Sequence, residues 1–295
     1  MLQPRQICVN TACFPDTPLP DALTHAQEMG FRCIELLAFD GARHSQGALA
    51  GFWFDRMTDR EKQDLAEATA SFQHIAVHLP FFELPLFAYD AEMRSFCEGR
   101  IGTGLDGAAY LGAGVAVIHA YARPGMACRD YWPLMLDAFR RLSDRAAEGN
   151  VRLAVETGFP NTIQDFADLV FDVDRANFGA TLDVGHIRSY RDHGVTPEAY
   201  GTPESAARYN DCLTAILTRL GERIFHIHLH DVRATDWRDH RAPGRGLIDW
   251  PRLFTALAAL PYPHLLSFEL EEPQPLQALQ ESKVFVESLI RDREG

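Results

Sequence analysis

Three histidines alternate along one strand-like segment of the chain. The segment covers residues 223–231, reads RIFHIHLHD, and contains His226, His228 and His230. Strand side chains point to opposite faces in turn, so we expect the three imidazoles to share one face. Histidine is the commonest ligand of borderline divalent metals, but a complete site needs ligands from other parts of the chain. The segment therefore offers a line of potential metal ligands, although we favour a packing role for His226, which lies deepest.

Other ionisable residues stand near the ends of apolar, strand-like runs. Burying such groups is costly, and they are typical of places where they perform chemistry. They are Glu35, His78, His119, Glu156, Asp183, His228, His230 and Glu269. Because these residues come from different runs, the fold must bring the ends of the runs to one place.

Strand-like runs and helix-period segments alternate along the whole chain. The runs cover 7–14, 33–37, 74–79, 115–120, 152–157, 178–184, 224–230 and 265–270. The helical segments cover 20–29, 57–72, 91–111, 132–148, 163–171, 203–220, 250–260 and 275–291. This α/β pattern predicts one (β/α)8 TIM barrel over residues 1–295, with a doubly wound open sheet as the alternative. Active sites of such barrels lie at the carboxyl ends of the strands.

Three long loops follow predicted strands at 38–56, 80–90 and 187–202. Loops of this length are uncommon without a role, so we expect them to form lids and substrate walls. The first contains Phe52-Trp53-Phe54, which we interpret either as a lid or as a contact with another subunit of a homo-oligomer. The second contains Phe81 and Phe82.

The charge and the amino terminus restrict the partners. The chain has 41 acidic and 28 basic residues, and its formal net charge of −13 repels a polyanion. The start, MLQPRQICVN, lacks the features of a secretory signal, and no segment has the roughly 20 apolar residues that a membrane span needs. We therefore expect a cytoplasmic protein with a small-molecule substrate, no nucleic-acid partner and no membrane contact.

Four of the predicted strand-end residues form a ligand set for one divalent ion. They are Glu156, Asp183, His228 and Glu269. Three carboxylates with one imidazole favour Mn²⁺, Mg²⁺, Co²⁺ or Fe²⁺ over Zn²⁺, although zinc would also bind, and Mn²⁺ is our first choice. Such an ion can stabilise the charge that develops when a carbon beside a carbonyl loses a proton. Glu156 and Glu269 are then the candidate acid and base.

Further polar residues are predicted to surround this ion and bind substrate. His186 follows Asp183 by three positions in LDVGH. The other candidates on the rim are Glu35, His78, His119, His230 and His240. Their spacing does not assign them separate roles.

The chain resembles the xylose-isomerase-like TIM-barrel superfamily, which includes the AP endonuclease family 2 proteins. The matching motifs are LAVET at 153–157, TLDVGH at 181–186, FHIHLHDV at 225–232, DHRAPGRGLIDW at 239–250 and SFEL at 267–270. The resemblance covers essentially the whole chain. It implies a sugar or sugar-phosphate isomerase or epimerase, a dehydratase of a keto-cyclitol or related compound, or an apurinic-site endonuclease.

The epimerase branch implies specific roles for matching residues. Glu156 and Glu269 would be ligands that double as the acid/base pair, and Asp183 and His228 would complete the metal shell. His186, with an arginine after the seventh strand for which Arg233 is the candidate, would hold substrate.

The endonuclease branch uses a larger metal cluster, and the chain departs from it at one position. The matching positions are His78, His119, Glu156, Asp183, His186, His228, His240 and Glu269. Arg238 stands where that branch has an aspartate two residues before His240. The substitution removes one expected ligand of a third metal but leaves a two-metal site open.

The leading hypothesis is therefore a divalent-metal-dependent isomerase or epimerase of a small sugar or related polyhydroxy carbonyl compound. A dehydratase using the same metal site is the runner-up. A multinuclear phosphodiesterase and a barrel that binds without turnover are the remaining alternatives.

Overall fold

Eight parallel strands close into a barrel in the computed structural model, which describes residues 2–260 and 265–291. The strands are β1 (Ile7–Asn10), β2 (Cys33–Leu37), β3 (His74–His78), β4 (Val115–Ile118), β5 (Arg152–Glu156), β6 (Phe178–Asp183), β7 (Ile224–Leu229) and β8 (Leu266–Phe268). Each strand pairs with the next in the chain, and β8 pairs with β1. The predicted barrel is confirmed, and the open sheet is excluded.

A helix lies between successive strands and another follows β8. The helices are α1 (Leu19–Glu28), α2 (Asp59–Thr69), α3 (Ala91–Tyr110), α4 (Trp132–Glu148), α5 (Ile163–Asp172), α6 (Pro203–Leu220), α7 (Trp250–Ala258) and α8 (Pro275–Arg291). Helix α2 is shorter than its predicted span of 57–72. It begins at Asp59 because Thr58 and Glu61 form a capping box, each side chain bonding the backbone N–H of the other.

The first strand ends earlier than the apolar run 7–14 predicts. The Asn10 side chain accepts a hydrogen bond from the backbone N–H of Ala12, and residues Thr11–Cys13 form a 3₁₀ turn. An Asn side chain that bonds the backbone two residues ahead offers an alternative to the sheet ladder. Hydrophobicity alone therefore overestimated the length of β1.

Along each strand, the side chains point in turn toward the helices and toward the barrel interior. On β2, Ile34 and Leu36 belong to the main hydrophobic core, and on β7, Ile227 and Leu229 do the same. Glu35, between the first two, bonds histidines of β7, although β1 and β8 separate β2 from β7. This bond crosses the barrel interior, which is therefore polar beneath the carboxyl ends of the strands.

The loop over residues 38–56 folds against the barrel. It contains a short hairpin of Arg43–His44 with Gly47–Ala48, and Gly51 then bridges to Leu37. A Cβ at Gly51 would lie 1.9 Å from the carbonyl oxygen of Phe39, so only glycine permits this approach.

The aromatic cluster 52–54 packs against the protein, with Phe52 buried and with Trp53 and Phe54 partly exposed. Phe52 is only 4% exposed, and the Trp53 ring lies 4.3 Å from the guanidinium of Arg100. The rings pack mainly on α3, where Trp53 contacts Arg100 and the Phe54 ring centroid lies 5.4 Å from that of Tyr110. The cluster does not line the cavity described below, so it is no lid over that cavity, and its contact with another subunit stays a prediction. Among the described helices, none combines the length and apolar character that crossing a bilayer requires.

Candidate metal centre

Four consecutive strands of the barrel bring the predicted ligand set together. Glu156 ends β5, Asp183 ends β6, His228 lies in β7, and Glu269 follows β8. One ligand atom from each lies within 4.8 Å of those of the other three. Nδ1 of His228 is 3.1 Å from Oε2 of Glu269, and 3.5 Å from both Oε2 of Glu156 and Oδ2 of Asp183.

The unpaired polar atoms of this group fit a divalent ion. Among the described residues, Nδ1 of His228 and both carboxylate oxygens of Glu156 have no hydrogen-bond partner of acceptable geometry, and these atoms are buried. Such atoms are rare in folded proteins and indicate an additional ligand. A set of three carboxylates and one imidazole, drawn from rigid strand ends, is a donor set that divalent metals use.

The surrounding imidazoles keep the carboxylates ionised. Burial by itself raises the pKa of Glu156, but the neighbouring His119 and His228 outweigh it and hold that pKa well below its usual range. Burial likewise raises the pKa of Asp183, and His186 and His230 more than reverse the effect. The two groups are therefore carboxylates at neutral pH, as metal ligands must be.

Glu35 lies beneath the centre and orients His228. Its Oε1 accepts a hydrogen bond from Nε2 of His228 at 3.1 Å, and its Oε2 lies 3.0 Å from Nε2 of His226. All three side chains are fully buried. The prediction that Glu35 binds substrate on the rim is corrected, because Glu35 lies two residues before the end of β2 and points into the barrel. It leaves Nδ1 of His228 directed at the carboxylates.

His230 holds the carboxylate of Asp183 in place. Its Nε2 lies 2.8 Å from Oδ2 and 2.9 Å from Oδ1 of Asp183, and its Nδ1 accepts a hydrogen bond from the backbone N–H of His240. Both ring nitrogens are used and the ring is fully buried, so the predicted substrate contact of His230 is corrected. Gly185 is required here, since a Cβ at that position would lie 2.0 Å from the His230 ring.

Asp231 organises the loop that returns His240 to the centre. Its Oδ1 accepts hydrogen bonds from the backbone N–H groups of Val232 and Ile248. Its Oδ2 accepts hydrogen bonds from the backbone N–H of Gly244 and from Nε1 of Trp250. The motif DHRAPGRGLIDW is thus a fold determinant as well as a site motif. Four donors on one buried carboxylate fix the position of the loop.

Two further groups of side chains adjoin the four ligands. Nε2 of His78 and Nε2 of His119 lie 3.4 Å and 3.3 Å from Oε2 of Glu156. On the other side, Asp183, His186, His230 and His240 form a group whose ligand atoms also lie within 4.8 Å of one another. The predicted residues His78, His119, His186 and His240 therefore all surround the centre.

Asp239 is a residue of the site that sequence reasoning missed. Its Oδ1 is 3.4 Å from Nδ1 of His240, and its Oδ2 is 3.9 Å from Nε2 of His186. Arg238, at the expected aspartate position, instead lies 3.6 Å from Glu271. The available signal was Asp239 itself, which begins DHRAP and stands one position after the place where the endonuclease branch has its aspartate.

A cavity of about 470 Å³ opens above the centre at the carboxyl ends of the strands. Of the four ligands, Glu156 and Glu269 line it, whereas Asp183 and His228 lie below it. A larger cavity of about 820 Å³ lies at the opposite face of the barrel, around Arg152 and Phe225, but none of the candidate ligands lines that cavity. Barrel enzymes use the carboxyl face, so the smaller cavity is the candidate substrate site.

The arginine at this cavity is Arg188 rather than Arg233. Arg188 lines the cavity and pairs with Asp239. Arg233 is absent from the lining and pairs with Asp236 three residues away, Nε to Oδ1 at 2.7 Å. The predicted substrate contact of Arg233 is corrected, because its guanidinium is paired with Asp236 outside the lining of this cavity.

The comparisons with known proteins identify the family. The model of the xylose isomerase-like TIM barrel family matches residues 23–289. The chain belongs to this family. A protein of similar sequence, the uncharacterized protein MJ1311 of Methanocaldococcus jannaschii, is 24% identical over 205 residues. That alignment covers 66% of the chain and 64% of the length of MJ1311.

Solved structures of similar fold include sugar epimerase-like and zinc-containing barrels. A D-tagatose 3-epimerase-like protein has a TM-score of 0.71 and 18% identity, with 97% of this chain and 98% of that chain covered. The IOLI protein, solved with a binding zinc atom, has a TM-score of 0.70 and 20% identity, with 96% and 98% covered. At such identities the similarity shows the shared fold of the xylose isomerase-like barrels.

Proposed function

We propose that this xylose isomerase-like barrel is a divalent-metal-dependent isomerase or epimerase of a small sugar or related polyhydroxy carbonyl compound. One observation carries the proposal. Among the four candidate ligands, the two that line the cavity are Glu156 and Glu269, and they come from β5 and β8, the outer strands of the ligand row. Two carboxylates on opposite sides of a bound molecule can remove a proton from one face and return it to another.

The ligand set supports a role for the ion in this chemistry. A divalent ion held by Glu156, Asp183, His228 and Glu269 would polarise the substrate carbonyl and stabilise the negative charge that develops when the adjacent carbon loses its proton. We propose Mn²⁺ as the physiological ion because oxygen donors outnumber nitrogen three to one. The zinc in the similar IOLI structure makes Zn²⁺ the first alternative.

The other side chains of the cavity position the substrate. His186, whose Nδ1 lies 2.7 Å from Oε1 of Glu156, can donate from Nε2 to a substrate oxygen beside the proton-transferring carboxylate. Arg188 lines the same edge, fixed by Asp239. The aromatic rings of Phe39 and Phe81 close the opposite side and reduce the access of water, which strengthens electrostatic interactions within the cavity.

The experiment that tests this proposal combines metal analysis with isotope exchange. Protein purified without added metal is analysed for bound metal, then supplied with Mn²⁺, Mg²⁺, Co²⁺, Fe²⁺ or Zn²⁺ and incubated in D₂O with a panel of keto-sugars. We expect about one ion per chain and deuterium at the carbon beside the carbonyl. Binding of a keto-sugar without any exchange, across all five metals, would contradict the proposal.

The products separate the proposed reaction from the dehydratase alternative. An isomerase or epimerase returns the proton and conserves mass, whereas a dehydratase abstracts the same proton and expels a β-hydroxyl as water. Mass spectrometry of the same reactions distinguishes the two.

Two or three ions per chain would instead favour the endonuclease-type alternative, for which His78 and His119 beside Glu156 supply a second group of ligands. The net charge of −13 argues against a nucleic-acid substrate.

A further inference from the structure

One side of the cavity is an aromatic wall formed by Phe39, Phe81 and Phe82. The Phe39 ring centroid lies 5.3 Å from that of Phe81 and 5.6 Å from that of Phe82, and the last two are 4.1 Å apart. The Phe81 ring also lies 4.6 Å from the His119 ring. The wall therefore begins directly beside the metal centre.

Aliphatic side chains extend the wall, and they are not part of the main core. Leu37, Phe39, Leu49 and Ala12 form a hydrophobic cluster separate from the core that packs the helices on the barrel, with Phe81 against its edge. All of these residues line the cavity. Ala42 and Trp53 of the loop over residues 38–56 pack against this cluster from outside, and its other side lines the cavity, where it offers a surface for an apolar ligand.

Three of the polar residues on the rim, His44, Ser189 and Glu271, are already hydrogen-bonded to the protein. Nδ1 of His44 accepts from the backbone N–H of Gln46, and the Ser189 hydroxyl donates to the carbonyl oxygens of Gly158 and His186. Glu271 accepts from Ser45 and pairs with Arg238. These three side chains therefore have less capacity for substrate hydroxyls, and the polar contacts left at the cavity are chiefly those beside the metal centre, such as Arg188.

The cavity continues into a second apolar space. Phe81, Phe82 and Tyr121 line both the cavity and an adjoining groove of about 700 Å³ along residues 81–89. Leu84 and Met126 line the groove farther out. The combined space accepts a group much larger than a methyl.

We propose that the substrate is a hydroxycarbonyl compound with an apolar, ring-sized substituent, which lies on the aromatic wall while its polar end faces Glu156 and Glu269. This inference rests on the proposed function and narrows its substrate class, because the metal centre defines where the hydroxyl-bearing end lies and the wall makes the rest of the substrate apolar. A fully hydroxylated tail would place hydroxyls against the inner rings of Phe39 and Phe81 without partners, and burying an unpaired hydroxyl is costly. The aromatic wall thus determines specificity for this part of the substrate.

A pair of hydroxamates tests the inference without knowledge of the natural substrate. Both 3-phenylpropanohydroxamate and 2,3,4-trihydroxybutanohydroxamate carry the same bidentate metal-binding group, but their tails are apolar and polyhydroxylated, respectively. Their dissociation constants for the full chain loaded with Mn²⁺ are measured by calorimetry. We expect the phenyl compound to bind about tenfold more tightly or better, as burial of an aromatic ring predicts.

Variants of the wall show whether Phe81 and Phe82 cause the preference. Phe81→Ala and Phe82→Ala are each expected to reduce it to about threefold or less, chiefly by weakening the phenyl compound. Phe96→Ala is the matched control, since Phe96 is a 58% exposed phenylalanine on α3 that lines neither space, and it should retain the full preference. Metal content and thermal unfolding of each variant show that the centre and the fold are retained.

The outcomes separate this inference from the proposed function. Equal or tighter binding of the trihydroxy compound, or a preference unchanged in both wall variants, overturns the apolar-substituent inference and leaves the proposed function standing. Failure of the chain to bind Mn²⁺ and either hydroxamate overturns both. Preference for the phenyl compound that is lost in the wall variants and kept in Phe96→Ala supports the inference.

Discussion

Glu35 and His228 are hydrogen-bonded across the interior of the barrel, Oε1 to Nε2 at 3.1 Å, and both side chains are fully buried. A carboxylate on the far nitrogen of a ligating histidine fixes its tautomer and ring orientation and raises its basicity. Here the contact directs Nδ1 of His228 at the three other candidate ligands. Because Glu35 also bonds His226, one carboxylate holds two imidazoles of β7.

The first prediction concerns Glu35→Gln. A glutamine can accept from only one of the two imidazoles and presents an NH₂ group to the other, so the orientation of His228 is loosened. We expect the affinity for Mn²⁺ to fall about 10- to 100-fold, measured by competition with a chelating dye. Glu28→Gln, on the exposed side of α1, is the control and should bind metal normally. An unchanged affinity of the folded Glu35 variant would refute the positioning role.

The second prediction separates proton transfer from metal binding. Glu156→Gln and Glu269→Gln each keep an oxygen donor but lose the proton-accepting carboxylate, so we expect turnover to fall by about 10²-fold or more while metal is retained. Asp183→Ala should chiefly lose the metal. Near-normal turnover in either purified, metal-loaded glutamine variant would rule out the assigned mechanism. Glu281→Gln, on α8, serves as the control for the substitution.

The third prediction is a pH dependence of the metal-free protein. Burial lowers the pKa of His186, but Asp183 and Glu156 outweigh it and raise the pKa from 6.5 to about 9. Because the folded value is the higher one, protonated His186 stabilises the fold fully below pH 6.5, and this contribution disappears as the pH rises through about 9. In chelator-treated protein, the free-energy difference between wild type and His186→Asn should therefore shrink over that range.

Urea unfolding at a series of pH values measures this difference, with His25→Asn on α1 as the control substitution. In the Mn²⁺-loaded protein, the free energy of unfolding should instead rise with pH. Protons compete with the ion for its ligands, so stabilisation by the metal grows as the pH increases. A wild-type advantage that increases from pH 6.5 to 9 without metal would contradict the predicted charge on His186.

The fourth prediction concerns the loop that carries His240. Asp231→Asn replaces an acceptor oxygen with an NH₂ group where Asp231 now accepts from four donors, so buried N–H groups lose their partners. We expect the free energy of unfolding to fall by about 1–3 kcal/mol. Asp211→Asn is the control, because Asp211 is an exposed partner of Arg252. Equal unfolding free energies of the two variants would show that Asp231 does not hold the loop.

The barrel itself was predictable from the sequence because its signals are local. Alternation of short apolar runs with helix-period segments recurs along the chain, and chain-adjacent strands pair throughout the barrel. Element ends were less predictable where side chains bond the backbone, as Asn10 and Thr58 do. Propensity and periodicity do not register these individual hydrogen bonds.

The candidate ligands were also within reach of sequence reasoning, but the roles of their neighbours were not. Period two predicts that Glu35 and His230 point inward, yet it does not indicate the depth of a side chain in the barrel. That depth made them supports of His228 and Asp183 instead of substrate contacts. Asp239 comes from the loop after β7 and Arg188 from the segment after β6, and their pairing depends on how these two loops pack, which no local pattern describes.

The sequence by itself determined the barrel and the types of ligand at its strand ends, since strand alternation and the cost of burying charge act locally. Only the tertiary structure decided which aromatic residues face the cavity. Phe52 packs into the core while Phe81 and Phe82 line the substrate space, although both segments read as aromatic loops. The physical reason is that burial of a loop side chain depends on the surface onto which the closed barrel folds that loop.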